Sequence, residues 1–388
     1  MHVRRQTGAI VVGSSFLELG VARSLGRHGI PVWVLADRNS LAAWSRFSRR
    51  RLPWPTDPER QIALLLALPD RYGLRQWTLY ATGDEQVALV ARHHAALAER
   101  FVLTTASWEQ YRWAYDKRLT YQLAAQLGVD YPWTRVPRDK QELALLDCPF
   151  PAILKPAFKQ LANPFTDAKA WRVASRRELL DRYDAACALV PPEIVMVQES
   201  IPGQGEAQFS FAALCREGTP VAWLTARRAR QYPPDFGLAS TYVETVESPP
   251  IEKAARRLLK AIGLSGLVEV EFKYDRASGR YLLLDINARA WAWHTLGRRA
   301  GVDFPYLLWR MVHDLPIPNL KGRAGVRWIH LIPDLESAIL SLRRGDFHGR
   351  EWLGSLCSPR ESAVFALDDP LPALVEAPLL LKQRFLRK

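Results

Sequence analysis

Glu269-Val270-Glu271-Phe272 and, across a turn at Asp275-Arg276-Ala277-Ser278-Gly279, Leu284-Asp285-Ile286-Asn287-Ala288-Arg289 form the stretch on which the reading of this chain turns. Apolar runs on either side of a glycine-containing turn are the pattern of a β-hairpin, with strands over Val268 to Tyr274 and Tyr281 to Ile286. Alternation along the second strand puts Asp285, Asn287 and Arg289 on one face, where side chains of the neighbouring strand can meet them. Two carboxylates and a carboxamide oxygen flanked by an arginine suit a magnesium ion carrying phosphates. The hard cation takes oxygen ligands, and the guanidinium holds a phosphoryl oxygen. A solvated hairpin with scattered charge is the bland alternative, but these acids follow apolar runs where core residues belong.

Upstream of the hairpin, two lysines stand at element ends. Lys117 follows Asp116 at the start of a helix that Gly128 ends, and Lys155 closes the short apolar run Pro149-Phe150-Pro151-Ala152-Ile153-Leu154 before Pro156. Both are candidates for nucleotide phosphates. Ile194 to Glu199 is a strand leading into Ser200-Ile201-Pro202-Gly203, a hinge pattern. Backbone beside Glu199 can read an adenine edge while its acid reaches a ribose hydroxyl, although a plain turn explains the same residues. Further strands are expected at Gln208 to Leu214 and Pro220 to Thr225, and a helix over Ile251 to Ala261 ends at Gly263.

The N-terminal part alternates strand and helix. Gly8 to Gly13 is a strand, Leu17 to His28 a helix, Ile30 to Leu35 a strand, Arg60 to Leu68 a helix, Trp77 to Ala81 a strand, Glu85 to Glu99 a helix and Phe101 to Thr104 a strand, the pattern of a parallel sheet. Gly13-Ser14-Ser15-Phe16-Leu17-Glu18 is not GxGxxG, although Asp37 sits where a ribose-binding acid would. This sheet is therefore read as a scaffold rather than a dinucleotide site.

The chain has 388 residues and a mass of 44.1 kDa, enough for two or three domains, with 48% hydrophobic and 24% charged residues, which excludes disorder and collagen-like repeats. A formal charge of +13 and a pI near 9.8 point to anionic partners. Cys148, Cys187, Cys215 and Cys357 form no CxxC pair, which favours a reducing compartment over a zinc site or a disulfide framework. The apolar run Ala9 to Val12 is too short for a signal-peptide core and no stretch reaches membrane-span length, so a cytoplasmic location is expected.

The stretch from about Trp108 to Phe304 resembles the ATP-grasp superfamily, and the preceding sheet resembles its usual N-terminal domain. The fold class is accordingly α/β and α+β, an ATP-grasp fold with an N-terminal parallel-sheet, Rossmann-like domain. The expected division is an N-terminal α/β domain at 1–105, a small lobe with two lysines at 106–200, a large lobe with the metal site at 201–315, and a C-terminal extension packed on the body at 316–388, with a basic amphipathic end. The resemblance implies that Lys117 and Lys155 bind ATP and that Gln198 and Glu199 form the adenine hinge. It also implies that Glu271, Asp285 and Asn287 hold magnesium, two ions in all. Most family members cover the triphosphate with a glycine-rich loop, whereas Ala157 to Lys169 has no glycine; either Lys159 or Lys169 supplies the charge instead, or the loop orders only when substrates bind. The implied activity is that of an ATP-dependent carboxylate–amine ligase, loosely like D-aspartate ligase, joining small-molecule or peptide-like substrates through an acylphosphate.

On the acceptor side, Arg227, Arg228 and Arg230 crowd one strand end. Arg230 and then Arg227 are expected, with Arg289, to hold the substrate carboxylate or acylphosphate oxygens, and for Arg228 a solvated basic edge explains the residue nearly as well. Tyr232, Ser240, Thr241 and Tyr242 are placed at the acceptor pocket, and Trp291 and Trp293 as an aromatic wall beside the metal. Near the C-terminus, Leu335, Ala338, Ile339 and Leu342 share a helix face that reads as packed. Two other functions stay open: phosphate transfer without amine capture, and a basic protein on a membrane surface or nucleic acid. No specific nucleic-acid motif is present, the tail Pro378 to Lys388 allows weak contact with an anionic membrane, and a homo-oligomer is possible.

Overall fold

The computed structural model describes the chain except residues 1–6, 14, 38–39, 159–161, 169, 204, 234–238, 346–348, 358–359 and 387–388. Ala9–Val12 (β1) is buried from end to end, as a strand covered on both faces must be. It pairs in parallel with Val32–Ala36 (β2) and, beyond Ser48–Pro53 (β3), with Thr78–Ala81 (β4), which in turn pairs with Val102–Leu103 (β5). The strand order is β3-β2-β1-β4-β5. Strand β3 is absent from the sequence reading because it runs Ser-Arg-Arg-Arg-Leu-Pro, with no apolar alternation. It succeeds as an edge strand, where charge is tolerated, and Arg50 stacks 4.6 Å above the Trp33 ring and 4.7 Å above that of Tyr72.

A second, antiparallel sheet is built from Thr134–Arg135 (β6), Ala152–Pro156 (β7), Trp171–Val173 (β8) and Val195–Glu199 (β9), in the order β6-β9-β7-β8. Leu154, Val173 and Val197 pack there against Leu179 and Tyr183 of the helix Arg176–Cys187.

The largest sheet comprises Gln208–Arg216 (β10), Thr219–Tyr232 (β11), Ala239–Val246 (β12), Gly266–Asp275 (β13), Arg280–Asn287 (β14), Leu320–Lys321 (β15), Arg327–Ile329 (β16) and Arg360–Ser362 (β17). Its order is β14-β13-β10-β11-β12-β16-β17, with β15 beside β11. Phe211, Ala213, Val268, Val270 and Phe272 point to one face, where Ile251, Ala255 and Leu258 of the helix Pro249–Ile262 cover them. Ala212, Leu214, Leu224 and Ala226 point to the other, into a core shared with Leu19 and Leu25 of the helix Leu17–Arg27 and with Trp291, Phe304 and Trp328. The side chains of Glu269 and Glu271 alternate with Val268 and Val270, so they share this second face.

Beyond residue 315 the structure departs from the expectation of an extension packed on a finished body. Strands β16 and β17 continue the large sheet, and the chain then returns to the first domain. Arg23 on the helix Leu17–Arg27 donates from Nε to Asp369 at 2.9 Å and from its two terminal nitrogens to the carbonyls of Val364 and Asp369. Asp369 also accepts from Ser45 Oγ and the Arg46 amide, all of it out of solvent apart from the edge at Arg46.

The helix Leu331–Arg344 is also a correction. Its buried residues are Asp334, Ser337 and Ala338, whereas Leu335, Ile339 and Leu342 face solvent. The inner side is polar because β11 presents polar groups to it: Arg230 meets Asp334, and Ser337 donates to the Gln231 carbonyl. Among the described residues no helix is long and apolar enough to cross a membrane.

Candidate active site

The β13–β14 register sets the site. Glu269 faces Asn287 and Glu271 faces Asp285, with an irregularity directly after Glu271. Asn287 Nδ2 donates to Glu271 at 2.8 Å and to Glu269 at 3.3 Å, and Ser210 Oγ on β10 donates to the other Glu269 oxygen at 2.9 Å. Burial, together with the charge of Glu271, pushes the Glu269 carboxyl up to about 8. Burial therefore favours the neutral form of Glu269, which lets its carboxyl lie beside Glu271.

Both lysines named from the sequence reach this hairpin from the small lobe. The helix Lys117–Gln126 begins at Asp116, whose carboxylate caps the Arg118 amide, and the Lys117 amide donates to the Ala157 carbonyl just past β7. Lys117 Nζ lies 2.8 Å from Asp285. Burial opposes its charge, but attraction and hydrogen bonding to Asp285 outweigh that and raise its pKa. Lys155, at the end of β7, is buried and donates to the Tyr121 hydroxyl at 2.9 Å; that hydroxyl donates onward to the Leu284 carbonyl at 2.8 Å. Burial and the neighbouring Lys117 charge bring Lys155 down to about 7. Tyr121 thus links the lysine to β14, a role the sequence reading did not assign. Its position four residues after Lys117 on one helix face was the available signal.

At the expected hinge, Gln198 is buried and donates to Thr134 Oγ1 at 2.7 Å, and it shares the face of β7 and β9 that carries Lys155. Glu199 points to the alternate face. One carboxylate oxygen accepts from the Trp133 amide at 2.9 Å, which ties β9 to β6. Lys159 and Lys169 lie outside the described residues.

Among the arginines the geometry reverses the expected order. Arg228 shares the carboxylate face and approaches Glu271 at 3.6 Å. Arg227, one residue away, points to the opposite face toward Glu244, also at 3.6 Å. An irregularity in the pairing of β11 with β12 follows Arg228, and Arg230 turns instead to Asp334 and Ser355 while lying 4.1 Å above the Tyr242 ring. Arg289 closes the site from the other side. It forks onto Asp84, at the carboxyl end of β4, and donates to Asn287 Oδ1 at 3.3 Å and to the Ala290 carbonyl at 3.0 Å. The carboxyl end of the N-terminal sheet is thereby joined to the metal-type hairpin.

Trp291 and Trp293 do not form a wall beside the site. Both are core residues, packed with Phe304. His294 is buried beneath them, donates from Nδ1 to the Trp291 carbonyl at 2.8 Å, and is brought down to about 4 by burial. In the first domain, the turn after β1 is filled by the chain itself. The buried Glu18 carboxyl accepts from the Ser15 amide at 2.7 Å, and a Cβ at Gly13 would collide with Glu18 and Thr82. That acid stands where a dinucleotide pyrophosphate would need the helix N-terminus.

The donor set fits a magnesium nucleotide. Every candidate ligand, Glu271, Asp285 and the Asn287 carboxamide, offers oxygen, and cations from the small lobe flank it. Among the described residues no three of His, Cys, Asp and Glu converge on one point. Magnesium that carries a nucleotide draws the rest of its oxygen coordination from phosphate and water.

Two lobes that bring paired lysines onto an acidic hairpin, carried on a parallel-sheet domain, define a nucleotide clamp. The sequence model of a family described as ATP-grasp in the biosynthetic pathway with Ter operon matches residues 193–330. D-aspartate ligase of Enterococcus faecium (strain Aus0004) is 24% identical over 304 residues, 72% of this chain and 70% of that protein. The crystal structure of an L-amino acid ligase from Bacillus licheniformis superposes with a TM-score of 0.61 at 15% identity, covering 80% of this chain and 75% of that one. N5-carboxyaminoimidazole synthetase from Staphylococcus aureus does so with a TM-score of 0.63 at 13% identity, covering 89% and 87%. Residues 193–330 thus match the sequence pattern of an ATP-grasp family, and the chain shares its fold with these ligases and synthetases.

Proposed function

We propose that this protein is an ATP-dependent carboxylate–amine ligase that forms an amide bond through an acylphosphate, with a small amino acid as the first carboxylate to test. The observation that carries the reading is the meeting of the lobes: Lys117 on Asp285 at 2.8 Å, with Lys155 held to the same hairpin through Tyr121. The names of the relatives, a D-aspartate ligase and an L-amino acid ligase, support an amino-acid substrate.

In this reading Lys117 and Lys155 bind the nucleotide phosphates, and Glu271, Asp285 and Asn287 hold magnesium. When bound, that ion offsets charge on the phosphates. Gln198 and Glu199 border the adenine, and Lys169 is a further candidate for the phosphates. The substrate carboxylate oxygen attacks the γ-phosphorus and ADP leaves. The amine nitrogen then attacks the acyl carbon, inorganic phosphate departs, and the nitrogen gives up a proton. Arg228, on the face of Glu271, is assigned to orient the anionic acid, and Arg289, held by Asp84, to the oxygens of the transferred group. Arg227 and Arg230 are left to pair with Glu244 and Asp334. No nucleophilic side chain is required.

Hydroxylamine is a small amine that converts acylphosphates to hydroxamates. Purified protein with magnesium ATP, hydroxylamine and a panel of amino acids should yield a hydroxamate and ADP in equal amounts with its own acid. ATP turnover that yields a stable phosphorylated product and no hydroxamate would replace this reading with phosphate transfer.

A further inference from the structure

The helix Leu331–Arg344 is built inside out. Its inner side is held by polar contacts: buried Asp334 accepts from Arg230 and from Trp352 Nε1 at 2.9 Å, Ser337 donates to the Gln231 carbonyl, and Arg230 also reaches Ser355. Its outer side carries Leu331, Leu335, Ile339 and Leu342, spaced by four, four and three residues, so they form one stripe along the helix. Leu335, Ile339 and Leu342 are 46%, 43% and 62% exposed. The next helix, Gly349–Cys357, has no buried residue and exposes Leu353. A stripe of this kind on a surface helix marks a contact site, since nothing in the fold needs it there.

Charge selects the occupant. The acids that the C-terminal segment turns toward the body are already paired: Asp334 with Arg230, Glu361 with Arg298, Asp368 with Arg27 and Asp369 with Arg23. The stripe ends at exposed Arg343 and Arg344 and Arg350 opens the next helix, against Glu336 and Glu351 on the two helices. A second copy would bring the same arginines, on a chain of charge +13, against each other.

We propose that this face docks on a lipid bilayer bearing anionic headgroups, with the helix Leu331–Arg344 lying in the interface plane, its leucines in the acyl boundary and its arginines at the headgroups. The inference is independent of the ligase reading.

The test is co-sedimentation of the full chain with vesicles of equal phosphatidylglycerol and phosphatidylcholine, against pure phosphatidylcholine, at low and high salt. Binding is expected on the anionic vesicles, weakened by salt and near background on the neutral ones. Leu335→Ser with Ile339→Ser should lower the partition coefficient about tenfold or more. Arg343→Ser with Arg344→Ser should do the same for anionic vesicles alone, and it tests the idea through charge should the leucine variant misfold. An environment-sensitive dye on Leu342→Cys, in a Cys357→Ser background, should shift to the blue on anionic vesicles. Absence of sedimentation overturns the proposal, as does equal binding by wild type and both variants. A concentration-dependent dimer in light scattering, lost in the leucine variant and unaccompanied by vesicle binding, would assign the face to a second copy instead.

Discussion

Lys155 is the side chain whose chemistry the fold alters most. Buried beside Lys117, it is brought down to about 7, so near neutral pH the vacant protein carries it only partly charged. A phosphate oxygen binds the ammonium, not the free amine, so nucleotide binding takes up a proton at this residue. The sign follows: affinity is full below about pH 7 and falls as pH rises through that value. Calorimetric titration with magnesium ADP should show binding weakened by up to about tenfold per pH unit above 7. Lys155→Arg, which keeps its charge throughout, should flatten that profile even if its absolute affinity changes. A wild-type profile flat from pH 6 to 9 would remove Lys155 from the phosphate site. The sequence placed this lysine at a strand end. Its neutral tendency depends on burial and then on Lys117, which folding brings to it from another element.

Strand β11 shows what an element adds to its residues. Three arginines in four positions are indistinguishable by composition, yet the pleat sends Arg227 and Arg228 to opposite faces, and an irregularity directs Arg230 to the C-terminal helix. Two substitutions should therefore separate cleanly. Arg230→Ala leaves the fully buried Asp334 without its cation and should cost about 3 kcal/mol of stability in denaturant unfolding. Arg228→Ala should leave unfolding almost unchanged and lower kcat/KM for the acid about tenfold or more. The reverse outcome, with Arg230→Ala inactive at full stability, would restore the order that composition suggested. The hairpin, by contrast, was legible almost whole, because the alternation of Glu269, Glu271, Asp285 and Asn287 with apolar residues already states which side chains share a face.

At the scale of the whole molecule, the first and last parts of the chain are bound together at Asp369. Its carboxylate receives Arg23, Ser45 and the Arg46 amide, and its carbonyl receives Arg23 again. Asp369→Ala should strand the buried Arg23 guanidinium and lower stability by about 3–5 kcal/mol, seen as a reduced midpoint in urea with the slope unchanged. A midpoint shift worth less than about 1 kcal/mol would show the two ends to be separable. The sequence by itself determined the parallel strand–helix alternation, the acidic hairpin and the two lysines at element ends, because each is written in local periodicity or in polar residues set against apolar runs. Only the tertiary structure decided that Trp291 and Trp293 are core, that β16 and β17 extend the large sheet, and that the leucines of Leu331–Arg344 face outward. Periodicity fixes which residues lie together on a face, but which face turns inward depends on what waits there. Here that was Arg230, more than a hundred residues away along the chain.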